Sequence, residues 1–151
     1  MSSPRSVRFD ADVLRRLGRY LRNHAGTSVS SVANLFVDEA LRAEEHPGIV
    51  FRPGPTGRRA GLAGGPDVWE IIETLLIVRE AEPGLADDAL VVATAEATGL
   101  PARKVMVAVR YYTAYRAEID QRIAANRDAA ADAEAAWQAE HDLLRGTDRA
   151  S

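Results

Sequence analysis

The chain has 151 residues, 46% hydrophobic and 27% charged, a composition typical of one folded domain or two small ones. It contains no cysteine, which excludes disulfides, thiolate metal sites and thiol nucleophiles, and its three histidines are too widely spaced to resemble a zinc site. Because no apolar run reaches the ~18 residues of a membrane helix and the start lacks the apolar core of a signal peptide, we expect a soluble, cytoplasmic protein without a membrane partner.

The net charge of −3 is unevenly distributed. Residues 1–24 carry six arginines and two aspartates, a net charge of +4, so the rest of the chain is acidic. A basic amino-terminal segment on an acidic body indicates contact with a polyanion, most often a nucleic acid. Eighteen of the 19 basic residues are arginine, which suits forked contacts to phosphate and guanine, although GC-rich coding DNA produces the same bias.

The first predicted element is a short strand at residues 5–9, where Val7 and Phe9 alternate with polar residues. Asp10 or Asp12 then caps a helix that stops near Gly26, and a second helix follows the polar cluster at residues 27–31. The apolar face of this second helix is too broad for one short neighbour to cover. Because a lone strand needs a partner, the simplest arrangement pairs it with the same strand of a second copy.

This order of elements, over about 40 residues, resembles the ribbon-helix-helix DNA-binding family (Arc, MetJ and CopG-like). The resemblance rests on the residues 6–10, on the helix from Asp12 to about Asn23, and on the segment 26–31. It implies a homodimer whose two-stranded ribbon enters the major groove of a double-stranded operator.

The same resemblance implies which residues contact DNA. Ser6 and Arg8 point outward and contact base edges, whereas Arg5, on the inward side of the strand, is expected to contact phosphate. Backbone amides at the start of the second helix are expected to bind phosphate as well, and they belong to Val29, Ser30 and Ser31. Each of these residues also has a structural interpretation, as a solvated arginine or a helix cap.

The middle of the chain predicts a hairpin and then helices. A strand near residues 49–51 turns at residues 53–57 and returns through residues 58–62. The next helix starts at Asp67, where Glu70 completes a capping-box pattern, and Pro83 ends it. A further helix from Asp87 or Asp88 leads to a tight turn at residues 99–101. The last helix, if continuous, runs from residue 101 to about 145, with Val105, Val109, Tyr112, Ile119 and Ile123 on one face.

The turn at Gly99 fits a helix-turn-helix signature, which any tight helical corner also meets. The runs His46–Ile49, Gly57–Ala60, Asp67–Ile72 and Val109–Tyr112 resemble, in this order, the domain-of-unknown-function family 433, winged-helix-like domains of VapB-type antitoxins. The resemblance implies a partner toxin of the PIN-like ribonuclease type. A possible second DNA surface consists of basic residues on the hairpin and the last helix: Arg58, Arg59, Arg103 and Lys104.

Residues 117–151 form an Ala-rich tail with eight acidic and four basic residues. Its spacing of apolar residues is a weak heptad pattern, which leaves self-association open. The tail is also suited to wrap a toxin, with Trp137, Leu143 and Leu144 as anchors.

These patterns predict a mainly helical protein with a ribbon-helix-helix domain at residues 1–45, a helix-turn-helix or winged-helix-like domain at 46–120 and a helical tail at 121–151. We expect no enzyme, catalytic residue, metal or cofactor, since the Gly-rich segment 54–65 lacks a nucleotide-binding motif. The expected function is that of a nucleoid-associated autoregulator, the antitoxin of a type II pair. The alternatives are a stand-alone DNA-binding protein without a toxin and a protein-interaction module that does not bind DNA.

Overall fold

The computed structural model describes residues 3–146, which form six helices and two strands. The predicted mainly helical class is therefore confirmed. The chain divides into two compact units, Met1–Glu45 (unit 1) and His46–Ser151 (unit 2). Within the described residues, no helix combines the length and the apolar character needed to span a membrane.

Unit 1 consists of α1 (Ala11–Asn23) and α2 (Val29–Glu45), which pack against each other. Asp10 occupies the position before α1, and Gly26 follows the helix with a φ of +89°, in the left-handed region that favours glycine. Between the helices, the Tyr20 ring stacks on His24 at 3.8 Å and meets the edge of Phe36 at 5.0 Å. The two predicted helices are thus confirmed.

Residues 3–10 have no regular secondary structure. The predicted strand at residues 5–9 does not form within the single chain, because no other described segment pairs with it. An extended segment becomes a strand only through hydrogen bonds to a neighbour, so its pairing with a second copy stays a prediction.

Unit 2 begins with the predicted hairpin, in which β1 (Ile49–Arg52) pairs antiparallel with β2 (Arg59–Leu62). Helix α3 (Val68–Ala81) follows, and a capping box of Asp67 and Glu70 starts it, with the Asp67 amide donating to the Glu70 carboxylate at 3.3 Å. This predicted helix start is confirmed.

Helices α4 (Asp87–Thr98) and α5 (Ala102–Ala114) meet at the predicted tight turn. Gly99 closes α4 with a φ of +70°, which a residue with a Cβ adopts only under strain. The Leu100 amide then donates to the Ala95 carbonyl at 3.1 Å. The predicted tight turn between two helices is therefore confirmed.

The core of unit 2 lies around α3 and α5, which pack against each other. Both helices also contact the hairpin and α6 (Arg116–Arg145). Its eleven buried residues come from all of these elements: Ile49, Ala60, Leu62, Val68, Ile71, Ile72, Val105, Ala108, Tyr111, Ile119 and Ile123. On α5 the buried face differs from the predicted one, since Ala108 and Tyr111 are buried whereas Val109 and Tyr112 are half-buried.

The long last helix, expected from residue 101 to about 145 if continuous, is not continuous, because the backbone leaves the helical region at Tyr115 (φ −129°, ψ 45°). No glycine or proline causes this break. The Tyr115 ring packs on Tyr111 at 4.7 Å and against the edge of His46 at 5.8 Å, and the change of direction lets Ile119 and Ile123 reach the core. Tertiary packing therefore overrides the helical propensity of this segment.

Helix α6 crosses the predicted boundary between residues 120 and 121 without interruption, and Ile123 belongs to the core. Beyond it, residues 124–146 are all exposed except His141, which is half-buried. The exposed tail therefore begins after Ile123.

Candidate nucleic-acid interface

The segment of residues 3–10, called the basic arm below, is exposed except at Phe9, which is half-buried. Arg5, Ser6 and Arg8 all have exposed side chains, and neither arginine forms an ion pair with a described residue. Both guanidinium groups are therefore available to bind an anion.

The basic arm leads into α1, where Asp12 partly compensates the positive charge. Asp12 pairs with Arg15 one turn later and approaches Arg16 at 3.8 Å. All three side chains are more than half exposed, so these pairs contribute little to stability and a phosphate group can displace them.

The start of α2 offers fewer free amides than the sequence predicted. The Ser28 hydroxyl accepts a hydrogen bond from the Ser31 amide at 3.1 Å and lies 3.0 Å from the Ser31 hydroxyl. Ser28 thus caps the helix, and the predicted phosphate contact of the Ser31 amide is already occupied. The amides of Val29 and Ser30 precede the first intrahelical bond and point out of the helix terminus, where the helix dipole favours an anion.

The predicted second DNA surface is not one surface. Arg59 is an ion-pair partner of Asp67, which also accepts a hydrogen bond from Arg52 at 3.0 Å and is itself only 8% exposed. This structural role occupies Arg59. The Lys104 ammonium lies 3.5 Å from the carbonyl of Ala63, at the far end of β2.

Arg58, at the opposite end of β2, donates to the Phe51 carbonyl at 3.4 Å. Positions 58 and 63 are five steps apart along an extended chain, about 16 Å at 3.3 Å per step. Arg58 and Lys104 therefore lie at different ends of the hairpin. Arg103 is exposed in the first turn of α5, next to Lys104, so of the four predicted residues these two lie together, at the corner between α4 and α5.

The predicted toxin anchors are exposed on the distal part of α6. Trp137 is 56% exposed and its ring stacks on His141 at 4.6 Å, while Leu143 and Leu144 are 69% and 84% exposed. None of the three belongs to the core of unit 2. The structure therefore leaves them free to contact another protein.

Sequence reasoning missed a cleft of about 630 Å³ in unit 2. It lies between the hairpin turn, the start of α3 and one face of α6, with Thr56, Trp69 and Arg122 among its lining residues. Arg122 donates to the Thr56 hydroxyl across the cleft. The lining residues come from two stretches of the chain, residues 56–70 and 118–129, which are 48 positions apart, so no local motif could have indicated the cleft.

A second polar contact fixes the start of α6 against α5. The Tyr112 hydroxyl donates to the Asp120 carboxylate at 2.8 Å, and the Arg116 guanidinium lies 5.3 Å from the centre of the Tyr112 ring. Burial raises the pKa of Tyr112, and the hydrogen bond and the negative charge of Asp120 raise it further, against the opposing effect of Arg116.

Comparison of the chain with protein-family models, curated proteins and solved structures found no match. Within residues 3–146, no group of three histidine, aspartate or glutamate side chains is placed to hold a metal ion.

Proposed function

We propose that this chain is a dimeric, sequence-specific DNA-binding autoregulator, and that it is the antitoxin of a type II toxin–antitoxin pair. The observation that carries the proposal is the incomplete core of unit 1. Among its described residues, only two hydrophobic side chains are buried, Leu17 and Val32. Seven large apolar side chains are exposed: Val7, Val13, Leu14, Val29, Leu35, Val37 and Leu41.

A unit of 45 residues with so small a core is close to the size below which a chain usually needs disulfides, a metal or a partner in order to fold. A second copy of the unit supplies the missing apolar surface, since burying one such side chain contributes about 1.5–3 kcal/mol. A two-fold dimer also brings two basic arms together, which allows residues 5–9 of each copy to pair as a two-stranded ribbon.

Such a ribbon fits the major groove of DNA, where its side chains contact base edges. Binding then depends on the DNA sequence and not only on the attraction between opposite charges. Arg8 makes a forked contact to guanine and Ser6 contacts a neighbouring base, while Arg5 contacts phosphate. The amides of Val29 and Ser30 bind a second phosphate at the start of α2, whose first turn contains no acidic residue.

Binding of the full-length protein to its own promoter tests this function. We expect Arg8→Ala to weaken binding about 10- to 100-fold and to abolish the preference for promoter over scrambled DNA, as measured by fluorescence anisotropy. Arg79→Ala is the matched control, because it removes the same charge from an exposed position on α3. If the Arg8→Ala protein kept the affinity of the parent and its preference for promoter DNA, the ribbon would not be the element that recognises the DNA sequence.

The antitoxin role depends on the exposed tail and on a toxin encoded next to this chain. We expect the neighbouring reading frame to encode a ribonuclease-like protein, and we expect combined Trp137→Ala, Leu143→Ala and Leu144→Ala substitutions to abolish rescue of cells that express it. The three substitutions leave the core residues Ile119 and Ile123 in place, whereas a truncation after residue 116 would remove both of them. Full rescue by the triple variant would contradict the tail assignment.

The second candidate function is a DNA-binding regulator without a toxin. In this candidate the exposed tail binds the tail of another copy. The heptad spacing supports such self-association, since Ala130, Ala133 and Trp137 continue the spacing of Ile119 and Ile123. Absence of a neighbouring ribonuclease-like gene, together with tail-dependent tetramers in sedimentation experiments, would select this candidate.

A further inference from the structure

Arg122 lines the cleft of unit 2, and no carboxylate among residues 3–146 forms an ion pair with it. Arg59 also lines the cleft but is held by Asp67, so its charge is compensated. Arg122, in contrast, donates to the neutral hydroxyl of Thr56 and forms no ion pair with any carboxylate among residues 3–146. Because a guanidinium has five N–H donors, most of those on Arg122 remain available to an anion in the cleft.

A flat apolar surface lies in the same cleft. Trp69 lines it and is half-buried, but the indole Nε1 is fully buried and has no hydrogen-bond partner among the described residues. The part of the indole that remains accessible therefore consists of ring carbons. Such a surface is suited to stacking against a planar ring.

Two side-chain carboxamides complete the polar lining. Gln121 and Asn126 both face the cleft from α6, and neither hydrogen-bonds to another described residue. A carboxamide presents one donor and one acceptor side by side, which is the pattern that matches the edge of adenine.

We propose that this cleft binds an adenine nucleoside monophosphate, with its phosphate on Arg122, its base against Trp69 and the base edge on Gln121 or Asn126. The volume of about 630 Å³ lies within the usual range of small-molecule sites. Three arginines and three carboxylates line the cleft, so its formal charge is zero. Arg122 can therefore hold one phosphate group, whereas the additional charges of a triphosphate would face Glu70 and Glu118. The assignment does not depend on DNA binding.

Titration of the full-length Trp137→Phe protein with adenosine monophosphate tests the site, because Trp69 is then the only tryptophan and its fluorescence reports on the cleft. We expect a saturable change with adenosine monophosphate, and affinities about tenfold weaker for adenosine, for inorganic phosphate and for adenosine triphosphate. We expect Arg122→Gln to weaken binding of the monophosphate about tenfold or more. Arg145→Gln, which removes the same charge farther along α6, is expected to leave it unchanged.

A second variant separates recognition of the base from a general loss of structure. Gln121→Ala combined with Asn126→Ala is expected to weaken adenosine monophosphate binding while leaving ribose 5-phosphate binding, measured by calorimetry, unchanged. The proposal is overturned if millimolar adenosine monophosphate causes no saturable change, if Arg122→Gln binds it as tightly as the parent protein, or if adenosine triphosphate binds more tightly than the monophosphate.

Discussion

Unit 1 and unit 2 use their apolar residues in opposite ways. Unit 2 gathers eleven buried residues from the hairpin and three helices into one core, whereas the described part of unit 1 buries two hydrophobic side chains and exposes seven large ones. Unit 2 thus has a core of its own, whereas unit 1 buries few apolar side chains, and we propose that a second copy supplies the surface it lacks. The two units should therefore respond differently to substitution and to dilution.

The largest expected effect is in the core of unit 2. Ile71→Ala removes a fully buried side chain of α3 and should lower the free energy of unfolding by about 3–4 kcal/mol in urea denaturation. Ile77→Ala is the control, because Ile77 lies on the same helix with 55% of its surface exposed, and its cost should stay below about 1 kcal/mol. Equal losses in the two variants would contradict the assignment of the core.

The next effect concerns unit 1 and its second copy. Val37→Glu combined with Leu41→Glu places two charges on the exposed face of α2 and should weaken dimerisation roughly 100-fold or more in sedimentation equilibrium. Ile77→Glu with Val92→Glu adds the same charges to exposed positions of unit 2 and should leave the dimer intact. A parent protein that stays monomeric at every concentration would refute the dependence of unit 1 on a partner.

A smaller effect is expected at the ion pairs of Asp67. Asp67→Asn keeps the size of this buried side chain but removes the charge that holds Arg52 and Arg59, and it should cost about 1–2 kcal/mol of unfolding free energy. Glu134→Gln, on the exposed tail, should change stability by less than about 0.5 kcal/mol. Equal stability of the two variants would contradict a stabilising role for the ion pairs of Asp67.

The smallest effect depends on pH. Since the pKa of Tyr112 is raised in the folded protein, its neutral hydroxyl stabilises the fold fully below the ordinary pKa of 10.0, and this contribution is lost as the pH rises above it. Tyr112→Phe should therefore cost up to about 1 kcal/mol at neutral pH and progressively less above pH 10.0. Chemical denaturation of both proteins across this range measures the difference, and a gap that widens in alkali would contradict the contact with Asp120.

The elements that could be predicted from sequence are those with local signals. Asp67 with Glu70 marked the start of α3, and Gly99 followed by Pro101 marked the corner between α4 and α5. Each signal acts within a few residues, because caps and left-handed turns satisfy nearby backbone groups.

Features that depend on distant residues could not be predicted. The break at Tyr115 results from rings of residues 46 and 111, and the Asp67 ion pairs join both strands of the hairpin to the start of α3. The cleft likewise combines residues near position 60 with others near position 122. The role of the basic arm remains a prediction, since it requires contacts with other molecules.

The exposed part of α6 has one further consequence. Residues 124–145 span about 33 Å at 1.5 Å per residue and belong to a helix held there mainly by its own backbone bonds. Its amide protons should exchange with deuterium far faster than those around Ile71, and on heating its circular dichroism signal should decline gradually before the cooperative melting of the core.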